Sequence, residues 1–218
     1  MSFPRVVSVN VALPRTLEEK PLLVSGIDKL PRLGPVTVQD QGLEGDGVGD
    51  TTWHGGTAQA VYAFAQEDYD FWAGEFGGPL RPGFFGDNLT TSGIDLNSRV
   101  VGEQWRVGTA RFQVTSVRTP CDRFERWMGL NGHPAADWSE RFVRRGRPGV
   151  YLAVLDRGWV QSGDPVDVLD VPSHGVTAGT MFRALTTEPS LLPLLLELDG
   201  LPLHVYDTAQ EYVDRARR

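Results

Sequence analysis

The chain has 218 residues, 40% of them hydrophobic, enough for one substantial domain or for one domain with a small appendage. Its formal net charge of −7 argues against generic attraction to nucleic acid or an anionic membrane, and its single cysteine excludes a disulfide framework and any cysteine-rich zinc or iron–sulfur site. No secretory signal opens the chain, and the most apolar stretch, Leu191 to Leu198, contains Pro193 and Glu197 and is too short to span a bilayer, so a soluble cytoplasmic protein is expected.

Val7, Val9, Val11 and Leu13 alternate with smaller or polar residues, the period of a half-buried strand that Pro14 ends. A looser segment runs to about Val38. From Gln41 to Thr57 the chain is rich in glycine and acid with almost no apolar period, too long for a tight turn, and long loops inside compact domains are often functional. Ala60 to Ala65 reads as a buried strand and Gln66 to Phe76 as a helix. Acidic residues sit in or near the first turn of that helix, Tyr69, Trp72 and Phe76 share one face, and Gly77-Gly78-Pro79 stops it.

Pro82 to Asn88 is another glycine-containing loop, and Asp95 to Val101 reads as turn and short strand. Trp105 and Val107, then Phe112 and Val114, alternate with polar residues on either side of Gly108-Thr109-Ala110, which predicts a hairpin. Beyond Cys121 two short helices are expected, one stopping at Gly129 and one running from near Pro134 to Gly146 with Trp138 and Phe142 a turn apart. Val150 to Leu155 and Val166 to Leu169 read as strands. After Pro172 the pattern becomes helical in three segments, Val176 to Leu185, Ser190 to Leu198 and Tyr206 to Arg217. The expected fold is therefore mainly β (α+β): a β-barrel with short helical insertions over residues 1–172, followed by a three-helix appendage over 173–218.

Four constellations could carry chemistry. Cys121 follows Pro120 and lies between Arg118 and Arg123, where positive charge favours a thiolate; the alternative is a buried cysteine acting as a small hydrophobe. Between Arg111 and Arg147 eight arginines face four carboxylates, a local net of +4 in an acidic chain, which points to an anionic ligand near the thiol. His54-Gly55-Gly56 offers backbone N–H groups and an imidazole that titrates near neutrality, against a plain turn. Asp87 and Asn88 follow Gly86, where a side chain can turn into a cleft, against a simple Asx turn. Arg147, between Gly146 and Pro148-Gly149, presents a guanidinium shaped for phosphate, against a surface ion pair. Glu44, Asp46 and Asp50 lack the spacing of a calcium-binding loop.

Taken in order, HGG, PGFFGDNLT, GEQWRVG, RTPC and GRPGVYLAVL, the chain resembles the MOSC domain, and more narrowly the bacterial proteins that confer resistance to N-hydroxylaminopurine, from about Val6 to the C-terminus. The resemblance implies a barrel-like sheet with a cleft, a molybdenum cofactor (a pterin dithiolene carrying a phosphate), and reduction of N-hydroxylated compounds such as N-hydroxylaminopurine-type bases and amidoximes. It makes Cys121 the molybdenum ligand. Set beside the residue chemistry, it makes His54, Gly55, Gly56, Asn88, Arg118, Thr119 and Arg147 the candidate cofactor contacts; on that chemistry Arg118 and Arg147 are candidates for the phosphate, and His54 and Asp87 for proton delivery. Members often carry glutamate where Asp87 stands and a basic residue or histidine where Trp53 stands.

No GxGxxG fingerprint follows a strand, so no NAD site is expected, nor a pyridoxal phosphate site. Electrons would then come from a separate reductase, and the partners expected are that protein and a small N-hydroxylated substrate, the chain being a monomer or homodimer. Two other readings stay open: a non-redox carrier of the cofactor or of sulfur on Cys121, and a cysteine hydrolase, for which His54 and His133 are the available bases.

Overall fold

Strand β1, Arg5–Val11, shows at once how the sheet departs from simple alternation. Val6, Ser8, Val9, Asn10 and Val11 are all buried, because the register against its neighbour slips between Val6 and Ser8. Such a bulge rotates the strand, so that residues spaced by two upstream are followed by a run that faces inward. The computed structural model describes residues 3–20, 22–49 and 56–217.

A hairpin of β2 (Arg15–Glu19) and β3 (Leu22–Ser25) follows, then β4 (Leu30–Pro31), β5 (Val36–Gln39) and β6 (Gly42–Leu43). These short strands fill the segment that carried no period; β2 and β4 are largely exposed and β3 buries only Leu23 fully, which weakens the apolar signal by which strands are read, while β5 and β6 bury Val36, Val38 and Leu43. The wholly buried β7 (Val61–Ala65) runs directly into helix α1 (Gln66–Phe76), whose end is set by Gly77 in the left-handed conformation (φ 74°). Next come β8 (Leu89–Ser92), a 3₁₀ turn at Leu96–Ser98, and the hairpin of β9 (Gln104–Val107) and β10 (Ala110–Ser116), in the expected positions. Helix α2 (Asp122–Leu130) ends one residue past Gly129. Helix α3 (Trp138–Arg145) starts later than the pattern predicts, after a non-helical stretch from Pro134. Strands β11 (Val150–Asp156), β12 (Gly158–Val160) and β13 (Val166–Asp170) complete the β part.

Eight strands form one curled mixed sheet in the order β13-β9-β10-β11-β7-β8-β1-β4, antiparallel except between β7 and β8. The sheet curls far enough for the start of β1 to meet the start of β13. Val6 N donates to Asp164 O (2.9 Å), Val166 N donates to Pro4 O (3.0 Å), and Arg5 bridges Pro165. This is the mainly β, barrel-like architecture expected. Trp72, Trp105, Trp138, Phe85, Phe124 and Phe142 are buried in one continuous core, in which Trp138 packs between Trp72 (ring centroids 4.8 Å apart) and Phe124 (5.0 Å).

The C-terminal part comprises α4 (Ala178–Leu185), a 3₁₀ stretch at Pro189–Glu197 and α5 (Leu203–Ala216). The middle segment is 3₁₀, and Pro193 inside it, whose ring clashes with the preceding turn of an α-helix, disfavours a regular α-helix there. The unit is tied to the barrel by Val101 N donating to Val176 O (3.0 Å), Ala178 N donating to Arg99 O (2.8 Å), and Phe182 against Phe142 (ring centroids 6.1 Å apart). Among the described residues no helix is long and apolar enough to cross a membrane.

Candidate functional site around Cys121

The chain leaves β10 at Ser116, passes through an irregular stretch at 117–120, and enters α2 with Cys121 as its N-cap in an extended conformation (φ −150°, ψ 163°). The Cys121 carbonyl accepts from Phe124 N (2.9 Å) and Glu125 N (3.1 Å), which fixes the turn. Its side chain makes no capping bond. The half-buried thiol therefore sits at the positive end of a helix whose inner face, Phe124, Trp127 and Met128, is anchored in the core.

Cys121 lines a small cleft of about 110 Å³ together with Lys29, Tyr62, Gly86, Arg118, Arg123 and Tyr151, among others. The elements explain the convergence. Register pairs Tyr151 of β11 with Tyr62 of β7, which brings their rings together, tilted by 37° with centroids 5.0 Å apart. Arg118 lies between the aromatic rings, its guanidinium 5.3 Å from the centroid of Tyr62 and 4.2 Å from that of Phe124, and it donates to Phe85 O (2.7 Å). That is its one hydrogen bond among the described residues, so its remaining donors are left to the cleft it lines. Gly86 has φ +77°, and a Cβ there would stand 3.0 Å from Ile27 Cγ1 and 3.1 Å from Arg118 Nη1. Glycine is what lets the guanidinium lie against the backbone.

Lys29 brings a second cation, paired with Asp46, both side chains being 9% exposed. Burial holds the Lys29 amine below the usual range, and its attraction to Asp46 opposes this. Asp46 also accepts from Ala12 N (2.9 Å) and from Asn88 Nδ2 (2.9 Å). Burial raises the Tyr62 and Tyr151 phenols above their ordinary value, more so for Tyr62, against the pull of Arg118, so both stay neutral.

The expected site residues fall into three groups. Cys121, Arg118 and Asn88 meet at the small cleft, and Thr119 lines a larger cavity that shares Cys121 with it. The Asn88 amide is committed to structure: Oδ1 accepts from Tyr62 N (3.1 Å) and Nδ2 donates to Asn10 O (3.2 Å) and to Asp46. His54 and Gly55 lie outside the described residues. Gly56 has φ 76° and opens the short 3₁₀ turn at Thr57–Gln59.

Two expectations are corrected. Asp87 does not turn into the cleft; it is fully buried and accepts from Tyr69 Oη (2.5 Å), Thr90 Oγ1 (2.6 Å) and Asn10 Nδ2 (3.3 Å). Burial, with no cation bonded to the carboxylate among the described residues, raises its pKa, and the hydrogen bonds from Thr90 and Tyr69 pull the other way. Arg147 is not at the cleft either. Its guanidinium is taken by Asp68 (2.8 Å) and Asp95 (2.8 Å) on another face. The segment that carries it still acts on the cleft, because Pro148 O accepts from Tyr62 Oη (2.6 Å) and so fixes the ring.

Lys29, Tyr62 and Tyr151 were missed by sequence reasoning. Lys29 sits in the stretch without period, and the tyrosines read as ordinary strand residues until register pairs them. His133 and His174 lie elsewhere: His133 stacks on Phe76 (4.2 Å between centroids), and His174 bonds Val101 O and Val176 N. Among the described residues no cluster of three or more His, Cys, Asp or Glu could hold a metal by itself. A metal here would have to arrive with ligands of its own. A lone soft cysteine sulfur beside Lys29, Arg118 and Arg123 fits a molybdenum held by an anionic sulfur-bearing cofactor.

Residues 50–167 match the family model described as MOSC domain. The protein YflK of Bacillus subtilis is 31% identical over 173 residues, which cover 79% of this chain and 76% of that protein. A protein of Gibberella moniliformis named Reductase is 28% identical over 190 residues, 83% of this chain but 32% of its own length. Among solved structures, that of YiiM from Geobacillus stearothermophilus superposes with a TM-score of 0.78 at 25% identity, covering 96% of this chain and 99% of the other. The chain belongs to the MOSC-domain family.

Proposed function

We propose that the protein binds a molybdenum cofactor at Cys121 and reduces N-hydroxylated compounds, N-hydroxylaminopurine-type bases and amidoximes, with electrons from a separate reductase. The observation that carries this reading is the position of the thiol, presented by a helix start to a cleft with Lys29, Arg118 and Arg123 on its walls. The relative named Reductase, aligned over most of this chain, supports a reductive activity. Bound there, the cofactor supplies the metal and the two-electron reduction.

The chain's own residues do the rest. Cys121 is the ligand from the protein side. Arg118 and Lys29 offset the negative charge of the pterin phosphate and dithiolene, and the neutral ring of Tyr151 forms an apolar wall. The reaction consumes two electrons and two protons per N–OH group, breaks the N–O bond, and yields an amine or amidine and water.

The test is the metal and pterin content of the full chain purified from cells that make the cofactor, followed by benzamidoxime reduction with a dye as electron donor. Stoichiometric molybdenum with pterin, lost in Cys121→Ala together with activity, is the expected result. Metal-free protein that still reduces amidoximes overturns it. Molybdenum bound without reduction by any donor turns the reading toward a cofactor carrier.

A further inference from the structure

Four residues that line the small cleft, Gln59, Cys121, Arg123 and Tyr151, also line a second cavity of about 620 Å³. That volume lies in the range of small-molecule sites. One part of its wall comes from the connection between β10 and α2 and the start of α2, at Val117, Thr119 and Asp122. The opposite contribution comes from the C-terminal helices, with Leu185 at the end of α4 and His204, Val205 and Thr208 on the first two turns of α5. Thr208 Oγ1 donates to the His204 carbonyl (2.7 Å), so the imidazole and this hydroxyl stand on adjacent turns of one rigid helix. Val205 is buried at 1% exposure and pins that helix to the core, while His204 keeps solvent access.

We propose that this cavity is the substrate chamber, that the C-terminal helical unit completes it, and that His204 delivers the proton taken up by the departing hydroxyl. The proposal deepens the reductase reading and rests on it. Cleavage of N–O places an electron pair on oxygen, and that oxygen leaves as water only when a proton reaches it.

The ionisable groups that line the chamber are Cys121, Asp122, Arg123, Tyr151 and His204. A guanidinium keeps its protons throughout. Cys121 is already committed as the proposed metal ligand, and Asp122 is the first residue of α2. The Tyr151 phenol is raised by burial and holds its proton. Among the described lining residues, the imidazole is the group whose ordinary titration spans neutral pH. Partial burial lowers its pKa and Asp207, on the same helix, opposes this. Reduction through His204 therefore falls as pH rises through a value below 6.5, the ordinary histidine pKa.

Two measurements on the full chain test this. In the cofactor-loaded protein, His204→Gln should lower kcat for benzamidoxime about 10²-fold, the usual scale of general acid catalysis, with KM and molybdenum content little changed and the fall of rate with pH abolished. In cofactor-free protein, benzamidoxime should slow carbethoxylation of His204 by diethyl pyrocarbonate, followed by peptide mass, and Thr208→Trp should slow it without ligand by filling the chamber. A loaded His204→Gln protein with unchanged kcat and pH profile overturns the proton-delivery role. Unprotected His204 overturns the chamber. If loaded wild type reduces no amidoxime, the reductase reading and the proton role fail together, and protection decides the chamber by itself.

Discussion

The guanidinium of Arg118 lies 4.2 Å from the centre of the Phe124 ring, one helical turn beyond the thiol that both residues flank. A cation on an aromatic face in a partly buried site contributes up to about 2 kcal/mol, and a charged hydrogen bond such as that to Phe85 O about 1.5–3 kcal/mol. Arg118→Met should therefore cost about 2–4 kcal/mol in urea unfolding of the full chain. Arg118→Lys should cost about half of that, since an ammonium keeps the charge but not the planar fork. Both variants should retain less cofactor than wild type, read as molybdenum per chain.

Lys29 and Asp46 form a buried ion pair whose carboxylate also ties Ala12 and Asn88 together. Removal of one member leaves the other charge without its partner, so Lys29→Met should cost about 3–5 kcal/mol. The double variant Lys29→Met, Asp46→Asn should recover part of that loss. A double-mutant cycle measured by denaturant unfolding gives the coupling directly.

Asp87 carries a pH signature with a definite sign. Its carboxyl holds a proton more tightly folded than unfolded, so the stability it contributes is fully present below 3.8 and is lost as pH rises toward the folded value. The stability of wild type minus that of Asp87→Asn should therefore decrease as pH is raised from acid toward neutral. Asp87→Ala should cost about 3 kcal/mol at neutral pH, because Tyr69, Thr90 and Asn10 lose their shared acceptor. A flat difference across pH would show that Asp87 ionises alike in both states.

Gly86→Ala tests the backbone of the cleft. At φ +77° an alanine is strained by about 1–2 kcal/mol before any contact, and its methyl group would press on Ile27 and Arg118. The expected result is a lowered Tm accompanied by loss of cofactor, whereas the same change at Gly74, in α1 with open space around it, should be neutral or slightly stabilising.

Much of the barrel could be read from the chain because its strands and α1 obey local rules. The alternation at Trp105 to Val114 and the glycine stop after Phe76 are self-contained signals. The bulge in β1 is not, since it depends on the partner strand, and the β2–β3 hairpin is too exposed to leave an apolar pattern. At the site, Cys121 could be found because a lone cysteine after proline is conspicuous. Arg147 misled for the opposite reason: its partners Asp95 and Asp68 lie 52 and 79 positions away, beyond the reach of any local reading. Tyr62 and Tyr151 became a pair only through sheet register, and His204 preceded the segment read as the last helix.

The small cleft draws its described walls from residues 25–29, 46–49, 59–62, 86–88, 118–123 and 151. These six stretches are spread from residue 25 to residue 151, so no short fragment of the chain holds the whole cleft. On the proposed cofactor reading, loading of the cofactor acts as a checkpoint on the completed tertiary structure. A core substitution far from Cys121 that merely lowers the folded fraction will reduce occupancy in proportion, and bound cofactor will in turn hold the chain folded by mass action.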